Sequence, residues 1–252
     1  MKLSTIESDT EWGRYHRPDV TPDMTSDGTE AKSFPSLVLI HDVWGLSQHS
    51  HDLAADLASE GFGVLEINLY REMAEVTIDA PGPFIQSLSD SAVLADLDAG
   101  AEWMATTGGG TESKIGVVGV CMGGTYALLA ACLSNRFAAA APFYGILSYE
   151  HGMLANPDGR DRERKPLSPL EAASKLKMPL LASFGAEDDF VPVADVSELE
   201  GRFDETEFPV QVDVYPGAGH AFLNRTREAA YRSEASSLAW AKLIPFLHAH
   251  LD

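Results

Sequence analysis

The residues with the most chemical potential are a cysteine, an acidic cluster and a histidine, in that chain order. Cys121 sits in Gly119-Val120-Cys121-Met122-Gly123, directly after the β-branched run Lys114 to Val120 and directly before the Ala/Leu-rich stretch Gly123 to Leu133. A G-x-C-x-G at a strand-to-helix turn places its central side chain on a sharp bend, and glycines two residues either side let neighbouring backbone approach. The start of the following helix carries partial positive charge and free N–H groups, which favour a thiolate and any developing oxyanion. After the apolar run Pro179 to Phe184 comes Gly185-Ala186-Glu187-Asp188-Asp189-Phe190-Val191-Pro192, and after Pro209 to Tyr215 comes Gly217-Ala218-Gly219-His220-Ala221-Phe222. Thiol, carboxylate and imidazole at three strand ends are what nucleophilic acyl transfer needs: the imidazole takes the thiol proton and later activates water, while the carboxylate fixes its tautomer. On these grounds Glu187, Asp188 and Asp189 all remain open as the acid. Each part also has a plain reading, a buried turn cysteine, a helix-capping aspartate and a turn histidine.

The elements that must position these groups alternate. Ser36 to His41 reads as a buried strand, and Ser47 caps a helix running to about Glu60, with Leu53 and Leu57 inward and Gly61 as its stop. Gly63 to Asn68 is the next strand, Asp90 to Met104 a helix ended by Gly108, Gly109 and Gly110, and Ala138 to Tyr144 a further strand. A final helix from about Arg227 carries Trp240, Ile244, Leu247 and Leu251 on one stripe. Strands alternating with helices predict an α/β fold, a mainly parallel central sheet with helices on both faces, whose chemistry lies at the carboxyl ends of strands. Residues 71–89 and 148–169 show no clear periodicity and follow strands, so both are expected to cover a site.

The 252 residues carry 38 Asp and Glu against 18 Lys and Arg, a net charge of −20. Such a field repels phosphate backbones and anionic membranes, so neither nucleic acid nor membrane is expected as a partner. Arg160, Arg162, Arg164 and Lys165 alternate with Asp158, Asp161 and Glu163 and read as a solvated loop. Without an apolar run long enough to span a bilayer or an apolar leader, a cytoplasmic location is expected. Cys121 and Cys132 would lie roughly 15 Å apart along a helix, so both are expected as thiols.

Residues 36 to about 250 resemble the dienelactone hydrolase family of α/β-hydrolases. The likeness lies in His-Asp-Val-Trp-Gly at 41–45, Asn-Leu-Tyr at 68–70, Gly-Val-Cys-Met-Gly-Gly at 119–124, Phe-Tyr-Gly at 143–145, Gly-Ala-Glu-Asp-Asp-Phe-Val-Pro at 185–192 and Gly-His-Ala-Phe at 219–222. The resemblance implies one α/β-hydrolase domain over 1–252, with 1–35 an N-terminal extension, and hydrolysis of an activated ester or lactone by a triad of Cys121, Asp188 and His220. It selects Asp188 because the family's acid stands three residues before the Val-Pro pair. It implies an oxyanion hole from the Val43 and Met122 N–H groups. It also places an acid near the thiol, usually Glu and here Asp42, which reads equally as a cap or loop hydrogen bond. Trp44, Tyr144 and Phe222 are expected as pocket walls. Arg71 and Arg225 are the nearest equivalents of the arginines that hold a substrate carboxylate in the family.

No metal and no organic cofactor are expected. His49 and His51, two apart on a helix, point about 200° from one another and read as solvated residues rather than ligands from one face. A non-catalytic binding protein that keeps the cysteine turn as scaffold is the alternative, disfavoured because binding alone has no need of all three groups. Sequence does not reveal the oligomeric state.

Overall fold

The computed structural model describes residues 2–19, 34–106 and 114–252. The expected helix stop at Gly108, Gly109 and Gly110 and part of the 1–35 extension lie outside the described residues. The strands are β1 (Thr5–Thr10), β2 (Gly13–Pro18), β3 (Ser36–Ile40), β4 (Gly63–Ile67), β5 (Ile115–Val120), β6 (Ala139–Phe143), β7 (Leu180–Gly185) and β8 (Val210–Tyr215). The helices are α1 (Gln48–Ser59), α2 (Pro81–Ser87), α3 (Asp90–Thr106), α4 (Met122–Leu133), α5 (Pro169–Ala172), α6 (Val193–Arg202) and α7 (Ser233–Leu251).

One eight-stranded sheet runs in the order β1-β2-β4-β3-β5-β6-β7-β8. Strands β3 to β8 pair in parallel, while the β1-β2 hairpin adds antiparallel to β4. Alternation along the central strands builds two cores. Val38, Ile40 and Val117 pack with Leu97 of α3, Leu129 of α4 and Leu199 of α6 on one face; Leu37, Leu39 and Val118 pack with Leu57 of α1 and Leu247 of α7 on the other. Strands buried on both sides explain the near-continuous apolar runs of the sequence. Every expected site loop therefore emerges at one edge, the carboxyl ends of β3, β5, β7 and β8.

Several expectations need correction. The hairpin β1-β2 lacks the apolar run of a central strand because it lies at the sheet edge, with β1 almost wholly exposed. The last helix begins at Ser233 rather than near Arg227, and its buried stripe is Ala235, Ala239, Leu243, Leu247 and Leu251, which leaves Trp240 and Ile244 on its flank. His49 is buried, not solvated, because it shares a helix face with Leu53 and Leu57. Residues 71–89 contain α2, which packs on the turn at Gly152–Leu154, with Gln86 Nε2 donating to the Leu154 carbonyl at 2.7 Å. The two aperiodic stretches thus meet each other.

The basic segment is also not a solvated loop throughout. Lys165 is buried, its Nζ donating to Asp90 Oδ1 at 2.6 Å and to the Tyr126 hydroxyl at 2.9 Å, while the Tyr149 hydroxyl donates to Asp90 Oδ2 at 3.1 Å. Burial raises the Asp90 carboxyl and lowers the Lys165 ammonium, and the pair's attraction opposes both shifts. Removing one member strands a buried charge. Lys165→Met is expected to cost about 3–5 kcal/mol in urea unfolding, whereas removing both charges by adding Asp90→Leu restores much of that loss.

Candidate active site

Cys121 ends β5 at φ 56° and ψ −117°, the left-handed φ that non-glycine residues adopt only when their surroundings hold them there. Its N–H donates to the Phe143 carbonyl at 3.0 Å, and its own carbonyl accepts from Thr125 N–H at 3.1 Å. Glycine is required at two neighbours for lack of space: a Cβ on Gly119 would overlap the Gly123 carbonyl, and one on Gly123 would overlap the Ile40 carbonyl. Cys121 and Cys132 are both free thiols.

Asp188 is buried after β7 and its two oxygens have separate tasks. Oδ1 accepts from the N–H groups of Phe190 at 2.8 Å and Val191 at 3.1 Å, which fixes the carboxylate; Oδ2 lies 2.9 Å from His220 Nδ1. Glu187 and Asp189 are exposed, and of the three acids only Asp188 bonds His220 among the described residues. Because an ionised carboxylate accepts only, His220 Nδ1 carries a proton. His220 Nε2 is buried without a hydrogen bond of ordinary geometry among the described residues, and the Cys121 sulfur is its other strong neighbour. Burial pulls the imidazole pKa down, yet the Asp188 hydrogen bond and the Cys121 sulfur outweigh it and push the pKa up to about 10. Such a group holds a proton beside the sulfur at neutral pH.

The loop after β3 is pinned on both sides of Val43. His41 Nδ1 donates to the Asp42 carbonyl, while its Nε2 accepts the Leu69 N–H at 3.2 Å. Burial lowers the His41 pKa to about 4, so this bridge is a neutral imidazole with a defined tautomer. The next peptide is held by Tyr70, whose hydroxyl donates to the Val43 carbonyl at 2.9 Å and touches Met122 Sδ at 3.4 Å. A trans peptide directs its N–H opposite its carbonyl, so fixing the Asp42 carbonyl also fixes the Val43 N–H. Neither the Val43 nor the Met122 N–H has a hydrogen-bond partner among the described residues. Asp42 Oδ1 accepts the Trp44 N–H at 2.9 Å, and burial raises its carboxyl pKa while that bond, Arg227 and His220 lower it.

Aromatic rings close round this group. Tyr144, at φ 39°, meets His220 edge-on at 5.2 Å and Phe222 at 5.3 Å, with its buried hydroxyl unpartnered among the described residues. Phe190 meets His220 at 5.0 Å and is 43% exposed; Trp44 is 44% exposed. The two expected arginines are committed elsewhere. Arg71 forms a two-pronged pair with Asp96 at 2.8 Å and stacks on Trp12; Arg225 pairs with Asp56 at 2.7 Å. Arg227 is instead the cation whose charge reaches Asp42 and Tyr144, and its guanidinium lies 5.6 Å from the Trp44 ring with no ion pair among the described residues. His41, Tyr70, Phe190 and Arg227 each act through a contact that chain spacing does not disclose.

The arrangement resembles known proteins along almost the whole chain. A model of the dienelactone hydrolase family matches residues 25–251. A Bradyrhizobium protein designated a 2-oxo-3-(5-oxofuran-2-ylidene)propanoate lactonase is 29% identical over 220 residues, covering 86% of this chain and 84% of that one. A Methylorubrum extorquens protein designated a carboxymethylenebutenolidase is 26% identical over 229 residues, covering 89% and 75%. A crystal structure from Klebsiella pneumoniae subsp. pneumoniae MGH 78578, assigned to dienelactone hydrolase, superposes with a TM-score of 0.81 at 25% identity over 97% of this chain and 98% of that one. The sheet, the strand-end loops and these matches agree: the chain has the α/β-hydrolase fold and belongs to the dienelactone hydrolase family of hydrolases.

Proposed function

We propose that the protein cleaves an activated ester or a small lactone through a thioester on Cys121. The observation that carries this reading is a cysteine held at positive φ on a strand end beside an imidazole whose proton is secured by Asp188. His220 holds a proton beside the Cys121 sulfur, which reacts as its thiolate. The thiolate attacks the acyl carbon, and the carbonyl oxygen becomes an oxyanion received by the Val43 and Met122 N–H groups. Collapse breaks the carbon–oxygen bond of the ester as His220 Nε2 gives its proton to the departing oxygen. Water, losing a proton to His220, then attacks the thioester and expels the thiolate, which restores the ion pair.

Leaving-group chemistry narrows the substrates. A thiolate leaves the tetrahedral intermediate more readily than a simple alkoxide, so enol esters, activated lactones, aryl esters and thioesters proceed while ordinary alkyl esters revert. With Arg71 and Arg225 engaged, Arg227 is the one arginine near the site without an ion pair among the described residues for an anionic substrate to meet. An exposed ion pair is worth about 0.2–1 kcal/mol, so a carboxylate-bearing lactone is expected to gain no more than about fivefold in kcat/KM over its methyl ester, and Arg227→Ala to erase that gain. A hundredfold preference for the carboxylate, unchanged in Arg227→Ala, would contradict this account.

The hinge of oxyanion stabilisation is the Val43 peptide pair. Tyr70→Phe keeps the ring but releases the Val43 carbonyl, a hydrogen bond worth about 1 kcal/mol. Its expected effect is a fall in kcat of about 3- to 10-fold with KM nearly unchanged, measured by steady-state kinetics on an aryl ester.

A further inference from the structure

The N-terminal hairpin meets α1 at a group of imidazoles and carboxylates for which the hydrolytic reading has no use. Glu7 of β1, His16 of β2 and His51 of α1 bring one carboxylate oxygen and two ring nitrogens within 4.8 Å of one another. Glu7 Oε2 is 3.3 Å from His51 Nε2 and 4.0 Å from His16 Nδ1. Glu66 of β4 lies at 0% exposure beside them, its Oε2 accepting from His16 Nε2 at 3.2 Å and standing 4.0 Å from His51 Nδ1, its Oε1 accepting from Ser50 Oγ at 2.6 Å. We propose that Glu7, His16 and His51 form a binding site for a divalent transition-metal ion of the zinc class, which clamps the edge hairpin to α1.

The tautomers support this assignment. An ionised Glu66 can only accept, so His16 Nε2 is the donor in that bond and Nδ1 is the ring nitrogen left facing Glu7. That is the carboxylate–histidine–metal arrangement in which a second carboxylate orients the ligand ring. Metal–ligand bonds of about 2.0–2.2 Å at tetrahedral angles put donor atoms on the order of 3.3 Å apart, so the three groups need close only by about an ångström, leaving one position for water.

His51 now accepts from Arg14 Nη1 at its Nδ1, at 2.9 Å. Metal at Nε2 would turn Nδ1 into a donor, so Arg14 must withdraw toward Asp9, whose carboxylate is 3.6 Å from Arg14 Nε. Nδ1–H then has Glu66 Oε2 to donate to, and one buried carboxylate orients both imidazoles. Charge points the same way. Among the described residues Glu66 has no Lys or Arg within ion-pair distance, the nearby Arg14 acting on it only through space; with Arg14 withdrawn toward Asp9, a dication would balance Glu66 and Glu7 together. His49, on the other side of α1, takes no part.

The test uses tag-free full-length protein carrying Cys121→Ser, which removes the sulfur of the proposed hydrolytic site as a rival zinc ligand, after chelator treatment. Titration with zinc chloride by calorimetry is expected to show one equivalent bound with a micromolar or lower Kd. At a hundredfold excess over Kd, Tm should rise by about 5–10 °C. Glu7→Gln and His51→Ala, both partly exposed positions whose metal-free Tm should stay near that of the parent, are expected to weaken binding by at least about a hundredfold; Arg14→Ala should bind at least as tightly as the parent. Absence of saturable binding, or binding changed less than tenfold by both Glu7→Gln and His51→Ala, would overturn the proposal.

Discussion

Cys121→Ala is expected to lower kcat/KM for an activated aryl ester by about 10⁴-fold or more while leaving Tm within a few degrees of the parent. The size follows from the proposed role: removing the nucleophile of a coupled triad costs nearly the whole covalent pathway, and what would survive is catalysis by the proposed oxyanion donors and binding alone. The small stability change follows from the structure, since the turn is held by backbone bonds to Phe143 and Thr125 and by the glycines around it, none of which involves the sulfur. Cys132 is the control. It is wholly buried in the α4 core, where burial pushes its thiol up to about 12, so it is an inert thiol. Cys132→Ala should lose some stability through a small cavity yet keep kcat/KM near the parent value, and iodoacetamide at neutral pH should label Cys121 only. Loss of activity in folded Cys132→Ala with Cys121→Ala unaffected would place the nucleophile wrongly.

Asp188→Asn should be nearly as severe, lowering kcat/KM by about 10³- to 10⁴-fold, whereas Asp189→Asn should stay within about threefold of the parent. The amide oxygen of Asn can still receive the Phe190 and Val191 N–H groups, so the loop survives. Its NH2 then faces His220 Nδ1, which must become an acceptor, leaving Nε2 protonated and unable to take a proton from thiol or water. The pH dependence carries the same signature. With the His220 pKa lifted to about 10, the proton needed by the leaving group is present across neutral pH, and the parent kcat/KM should fall only as pH rises through about 10. The sign holds for stability too: a raised folded-state pKa adds stability that is complete below the ordinary value of 6.5 and is lost as pH climbs through about 10. In Asp188→Asn, where the carboxylate that raises the pKa is gone and the neutral imidazole keeps its proton on Nε2, the limb near pH 10 should be lost. Equal losses at 188 and 189, with the limb unmoved, would refute the assignment.

Much of this was legible from the chain because the informative parts are local. A buried parallel strand leaves a continuous apolar run, and a cysteine turn flanked by glycines at the start of a helix has one geometry, so β3, β5 and the Cys121 turn could be read directly. The hairpin β1-β2 could not, since the exposed edge strand β1 carries Glu7 and Asp9, and β2 beside it carries Arg14 and His16, rather than an apolar run. Lys165 and His49 are buried against expectation for a related reason: charge and polarity suggest exposure until a distant partner or a helix face removes them from water. Asp90 lies far from Lys165 in the chain, and no spacing rule joins them. The same holds for Tyr70 and His41, whose effect on Val43 arises from sheet order, and for the arginines, where one ion pair decides whether a guanidinium is free.

The most direct measurement is intact-mass spectrometry after rapid quenching of the protein with an activated aryl ester under single-turnover conditions. An adduct of one acyl group is expected, located on the peptide containing Cys121, formed at the rate of aryl alcohol release and decaying at the rate of turnover. Full turnover with no adduct on Cys121 at any time, or an adduct on Cys121 that decays more slowly than the protein turns over, would contradict it.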